Sequence, residues 1–120
     1  MGCTKLDQSF LPDIRRLVNN GAYSLRTHTY DRMLERGILV EDVKSILTSS
    51  TNQIIEIQPP ATPAFDEKVL ITDPYYGKDI IVICALFMRG MPDIRIVTVE
   101  WIDFSIWKKE LNKVPYLVRK

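Results

Sequence analysis

A chain of 120 residues with 46% apolar and 26% charged side chains is long enough for one hydrophobic core and too apolar to be a disordered or collagen-like polymer. The net charge of +1 argues against uniform nucleic-acid affinity, but the charge is uneven. Lys108, Lys109, Lys113, Arg119 and Lys120 crowd the last twenty residues against Asp103 and Glu110, while residues 51–100 are net acidic.

Pro12 suits a first helical turn, and Ile14, Leu17 and Val18 recur at i, i+3, i+4 before Asn19, Asn20 and Gly21 break the pattern. A second helix starts near Thr27 or Thr29, carries Tyr30, Met33 and Leu34 on one side with a polar side opposite, and ends at Gly37 as a left-handed cap. Val40, Val43, Ile46 and Leu47 give a third helix, with Glu41 and Asp42 at its positive end. Thr48 to Asn52 stop it, because short polar side chains compete for the helical backbone.

The period then changes. Ile54, Ile55 and Ile57 form a β-branched strand closed by Gln58-Pro59-Pro60, and the proline-spaced loop through Pro63 is expected to be mobile. Lys68 to Thr72 and Asp79 to Phe87 read as strands joined by an Asp73-Pro74-Tyr75-Tyr76-Gly77-Lys78 turn. Arg89 to Asp93 makes a second turn before the strand Ile94 to Trp101. Phe104 to Asn112 reads as a helix with Phe104, Ile106, Trp107 and Leu111 partly inward, ended by Pro115.

These elements predict an α+β fold with N-terminal helices packed on a mostly antiparallel four-stranded sheet. The chain is expected to be one domain, residues 1–120, with a core at about 12–103 and a basic tail at 104–120. Cys3 near the terminus and Cys84 in an apolar run are expected to be free and buried respectively, which suits a reducing compartment. No apolar stretch reaches the roughly 18 to 20 residues a bilayer requires, and no secretion signal opens the chain, so a cytoplasmic protein with no membrane partner is expected. The opening Met1-Gly2-Cys3 lacks the Ser or Thr that myristoylation wants, since Leu6 stands at the sixth position.

His28, Arg32 and Arg36 fall at i, i+4, i+8, so they line one helix face with about 40° of drift per step. Imidazole suits proton transfer near neutrality and guanidinium grips phosphate oxygens, so this stripe could hold and work on a phosphodiester. The plainer alternative is a solvated, ion-paired helix face. Lys68, Asp73, Tyr75, Tyr76 and Lys78 bring cations and aromatics together in a manner that can stack bases, or they decorate a hairpin edge. Lys108, Lys109 and Lys113 could extend an RNA track or form a solvated helix face. A glycine-rich phosphate loop, a His-Glu-x-x-His pair, a spaced Cys/His cluster and a nucleophile elbow are all missing. Catalysis, if present, is therefore expected to be metal-free and to use no cofactor.

The run from Ser24 to Ile38, with His28, Arg32-Met33, Arg36-Gly37-Ile38 and then Glu41-Asp42-Val43, resembles a bacterial family of small uncharacterised domains with a His-x3-Arg-Met-x2-Arg-Gly-Ile signature. Ile96-Val97-Thr98-Val99 is similar to that family's final strand, and the resemblance covers residues 12 to 103. Ile14 to Gly21 also looks like the start of the MqsR family of RelE-like mRNA interferase toxins. The resemblance implies a RelE-like fold and the toxin of a type II toxin-antitoxin system, an endoribonuclease acting on RNA without a metal. It also implies a cognate antitoxin partner of the kind that carries a YgiT-type zinc finger. On that reading His28 is acid or base, Arg32, Arg36 and Lys68 bind phosphate, and Tyr75 or Lys78 assists, with Lys108 and Lys109 along the RNA. The alternative is a non-catalytic protein-interaction module.

Overall fold

Leu11, Ile14 and Val18 give the first helix its buried stripe, and they seat α1 (Leu11–Asn19) against the sheet and the third helix. The computed structural model describes residues 8–59, 67–86 and 94–120. Cys3 and the N-terminal tripeptide, the loop expected to be mobile from Pro60 onward, and the Arg89–Asp93 turn lie outside them.

Gly21, at φ +75, reverses the chain into β1 (Tyr23–Leu25). Then follow α2 (Thr27–Glu35), α3 (Val40–Thr48), β2 (Gln53–Gln58), β3 (Glu67–Thr72), β4 (Ile80–Leu86) and β5 (Ile94–Trp101). Gly37, at φ +71, ends α2 in the left-handed conformation that only glycine adopts freely.

The fold is α+β, as its patterning predicts, but the main sheet has five strands rather than four, in the order β1-β5-β4-β3-β2. The additional strand is β1, which pairs in parallel with β5 through Tyr23–Ile94, Ser24–Arg95 and Leu25–Ile96. Three residues are too few to set a period, so nothing local marks them as a strand. All other pairings in this sheet are antiparallel.

The helices cover one face. Val69, Ile71, Ile80, Val82, Cys84, Ile94, Ile96 and Val99 point toward them and join Ile14, Met33, Val43 and Ile46 in the larger core. Alternation sends Leu70, Ile81 and Ile83 to the opposite face, where they need a cover of their own.

That cover corrects the helix expected at Phe104–Asn112. Asp103 accepts hydrogen bonds from the Ser105 amide at 2.9 Å and the Ser105 hydroxyl at 2.6 Å, which turns the chain into β6 (Trp107–Lys109). β6 pairs antiparallel with β7 (Leu117–Arg119). Trp107, Tyr116 and Leu117 are buried against Ile55, Leu70 and Ile81, whereas Leu111 is 75% exposed. A helix would have turned Phe104, Trp107 and Leu111 together; the ribbon turns only Trp107 inward. The ribbon is latched by Arg119, whose Nη2 donates to Glu56 on β2 at 2.9 Å while its guanidinium stacks on Trp107 at 4.6 Å.

Asn52 joins the remaining pieces. Its buried amide donates to the carbonyls of Ile46 at 2.8 Å and Leu47 at 3.1 Å, satisfying the end of α3, and its oxygen accepts from Arg15 of α1 at 2.7 Å.

Candidate functional site

Beyond Leu25 the edge of β5 has no strand beside it among the described residues, and α2 takes over that edge. The hydroxyl of Thr29 donates to the Val97 carbonyl at 3.0 Å, and Nη1 of Arg36 donates to the Val99 carbonyl at 2.7 Å. The indole Nε1 of Trp101 donates back to the Arg36 carbonyl at 2.8 Å. Edge carbonyls that would otherwise recruit another chain are thereby consumed, and the helix is held at a fixed height along the strand.

The same geometry sorts the stripe on α2. The drift of about 40° per step carries its third member, Arg36, round to the strand, where it serves the backbone. His28 and Arg32 remain exposed, one turn apart, and their side chains form no hydrogen bond or ion pair among the described residues. Of the apolar side expected for this helix only Met33 is buried; Tyr30 and Leu34 are 43% and 53% exposed. The face judged polar supplies buried Thr29 and the half-buried Arg36 instead.

Lys68 lies elsewhere. It is exposed on the sheet face away from the helices, in a cross-strand row that runs Gln58, Lys68, Ala85, Arg95, Ser24. Lys68 and Arg95 flank the small Ala85, two strand spacings or roughly 10 Å apart. Tyr75 is 80% exposed in the turn that follows β3, more than about 13 Å along the strand from Lys68. The structure therefore keeps His28 with Arg32 but does not bring Lys68 and Tyr75 together.

Lys78 is committed to Asp42. The carboxylate of Asp42, on the first turn of α3, accepts from the Tyr76 hydroxyl at 2.6 Å, Lys78 Nζ at 3.0 Å and the Leu39 amide at 2.9 Å. Burial pushes the Asp42 carboxyl up, but the bonds from Tyr76, Leu39 and Lys78 outweigh it and hold the group below its ordinary range. Tyr76 is raised, because its proton is held on Asp42 and its ring is partly buried. This cluster fastens α3 to the β3–β4 turn, and neither Lys78 nor Asp42 is left over for a ligand.

Lys108 is exposed on β6, and Lys109 sits 5.2 Å over the Phe104 ring and 4.0 Å from Asp79. Both belong to a β-ribbon, not to the expected basic helix. Among the described residues no group of three or more His, Cys, Asp or Glu side chains is placed to hold a metal ion, and no helix is long and apolar enough to cross a membrane.

Two residues of this region carry little local signal in the sequence. Arg95 was visible only as the cation between Ile94 and Ile96, which alternation assigns to the face away from the helices. Trp101 gave no signal, since its partner is the carbonyl of a residue 65 positions earlier.

An α+β fold with, among the described residues, three helices and a five-stranded sheet, and with its exposed polar pair on the helix that closes the sheet edge, is the class of protein these features define. The chain belongs to the family described as Domain of unknown function (DUF4258), whose model matches residues 25–101. That segment begins at the last residue of β1 and ends at Trp101, so it contains α2, α3 and β2 to β5, while α1 and the β6–β7 ribbon fall outside it. No curated protein and no solved structure matches the chain.

Proposed function

We propose that this chain is a metal-independent RNA endonuclease with a RelE-like fold, an mRNA interferase acting in the cytoplasm as the toxin of a type II toxin-antitoxin pair. The observation that carries the reading is the exposed His28–Arg32 pair, an imidazole and a guanidinium one helical turn apart, both unpartnered among the described residues. The helix bearing them is fixed through Thr29, Arg36 and Trp101, so the two groups are presented from a rigid element.

In the reaction the ribose 2'-oxygen attacks phosphorus as its proton leaves to a base, and the bond to the 5'-oxygen breaks as an acid delivers a proton there. The products are a 2',3'-cyclic phosphate and a 5'-hydroxyl. His28 performs one of the two transfers, a role typically worth a factor of about 10² to 10⁴. Arg32 neutralises the equatorial oxygens, whose charge grows in the transition state. Lys68 and Arg95 lie on the sheet face opposite the helices and meet the strand only where it passes round the sheet edge, while Arg36 and Lys78 have structural duties and leave the site. The exposed Tyr75 and Lys108 contact more distant nucleotides.

The test is direct. Protein purified in EDTA is incubated with a long RNA, and the gene is expressed without its neighbour. Fragments ending in 2',3'-cyclic phosphate together with growth arrest support the reading; intact RNA and normal growth overturn it. The partner expected is an antitoxin of the kind that carries a YgiT-type zinc finger.

A non-catalytic protein-interaction module is the second reading, favoured by Tyr30 and Leu34, which leave an apolar flank on α2 in solvent. Loss of partner binding in Leu34→Asp, without any RNA phenotype in His28→Ala, selects the module.

A further inference from the structure

Trp101 is a large aromatic side chain that the fold leaves 44% exposed, although Trp107, the second tryptophan of the chain, is buried to 5%. Its ring is nevertheless held in place, because Nε1 donates to the Arg36 carbonyl at 2.8 Å and β5 ends at this residue. An indole whose N–H is already taken by the backbone has no donor left for a ligand, so what it offers is its apolar ring surface. Arg36 anchors the seam directly beneath it, and Arg32 lies one turn further along α2, a rise of about 6 Å. A rigid aromatic side chain at one end of a seam and the unpartnered guanidinium of Arg32 further along it match the two parts of a nucleotide, base and phosphate.

We infer that Trp101 is a base-stacking platform, and that the seam between α2 and β5 binds single-stranded RNA with one base on the Trp101 indole and a neighbouring phosphate on Arg32. The inference rests on the endonuclease reading for the identity of the polyanion and adds to it the residue that positions the strand. Trp101 is a positioning residue here. It takes no part in proton transfer, and its contribution lies in binding and in which phosphate reaches His28. Stacking tolerates every base, so the platform confers affinity with at most a preference for the larger purines.

The experiment uses the full chain carrying His28→Ala, so that a short single-stranded RNA of mixed sequence is bound without being cut. Tryptophan fluorescence is followed during titration. The buried Trp107, covered by the Arg119 guanidinium, contributes a constant background. Saturable quenching is expected, and Trp101→Leu in the same background is expected to abolish it and to weaken binding roughly 5- to 150-fold, the span for one stacked base. Trp101→Phe keeps a ring while losing the N–H bond, so its affinity is expected to stay within a few-fold of the parent. Should Trp101→Leu fail to fold, protection of Trp101 from iodide quenching by bound RNA decides the matter: protection is the expected result, and unchanged iodide access overturns the inference. Equal affinity in the folded Trp101→Leu protein, or no RNA binding in the His28→Ala parent, also overturns it. Quenching in a protein that never cleaves RNA removes the endonuclease reading and leaves the platform standing. Efficient cleavage with an unaffected Trp101→Leu variant does the reverse.

Discussion

The guanidinium of Arg36 and the carbonyl of Val99 are joined at 2.7 Å, and this bond closes the part of the β5 edge that β1 is too short to cover. A side chain that looks like one of three equivalent cations on a helix is thus part of the sheet.

Arg36→Ala is expected to destabilise the fold by about 1.5 kcal/mol, the lower end of the range for a hydrogen bond from a charged donor, because the site is only part-buried. Arg32→Ala is expected to fall within about 0.5 kcal/mol of the parent. Urea unfolding checks the pair: the midpoint drops for Arg36→Ala with little change in slope, and stays for Arg32→Ala.

Asp42 makes stability depend on acid. Its folded carboxyl lies below the ordinary value of 3.8, so the stabilisation is fully present above that value and disappears as pH falls through the lowered one. Asp42→Ala strands the Tyr76 hydroxyl, the Leu39 amide and Lys78, at a cost of about 3 kcal/mol near neutrality. Melting curves of parent and variant across pH are expected to differ by a constant amount above about pH 4 and to converge below it. Tyr76 sets the alkaline limit. Raised above 10.0, it keeps its donated bond below that value and loses it as pH climbs through the raised one.

The β6–β7 ribbon lies outside the segment the family model matches, yet it completes the second core. Leu117 is fully buried, and Leu117→Ala is expected to cost about 3 kcal/mol. Removing residues 103–120 uncovers Ile55, Leu70 and Ile81, and the truncated chain is expected to bind a hydrophobic dye and to aggregate. A truncated chain that stays monomeric with an unchanged melting temperature contradicts this role.

Cys84 is a reporter of opening. It is fully buried, and burial pushes its thiol up to about 12, so the thiolate is almost absent at neutral pH. Iodoacetamide is expected to spare it in the native protein and to modify it at once in urea, as read by peptide mass.

Legibility in the sequence follows the range of the forces involved. The α1 stripe of Ile14, Leu17 and Val18, the bounds of β5 and the Asp73–Lys78 turn are local patterns found where the residues place them. The alternation along β5 holds only through Ile96: opposite a register shift between Ile83 and Cys84 it slips, and Val99 rather than Thr98 joins Ile94 and Ile96 in the core. Tyr23–Leu25 escaped because its partners, Ile94–Ile96, lie far away in the chain. Phe104, Trp107 and Leu111 mimic a helix; what makes Trp107 a strand residue is an apolar sheet face that exists only after Leu70 and Ile81 have paired. The site divides in the same manner. The stripe on α2 is legible from spacing, but which member the strand claims depends on a carbonyl 63 residues away.

The most direct measurement compares RNA cleavage by parent, His28→Ala and Arg32→Ala in EDTA, alongside their melting temperatures. The account predicts a loss of about 10² to 10⁴ in rate for His28→Ala, a substantial loss for Arg32→Ala, and melting temperatures that do not move. Cleavage that survives both substitutions, or that vanishes only when the protein unfolds, would show that this exposed pair does no chemistry.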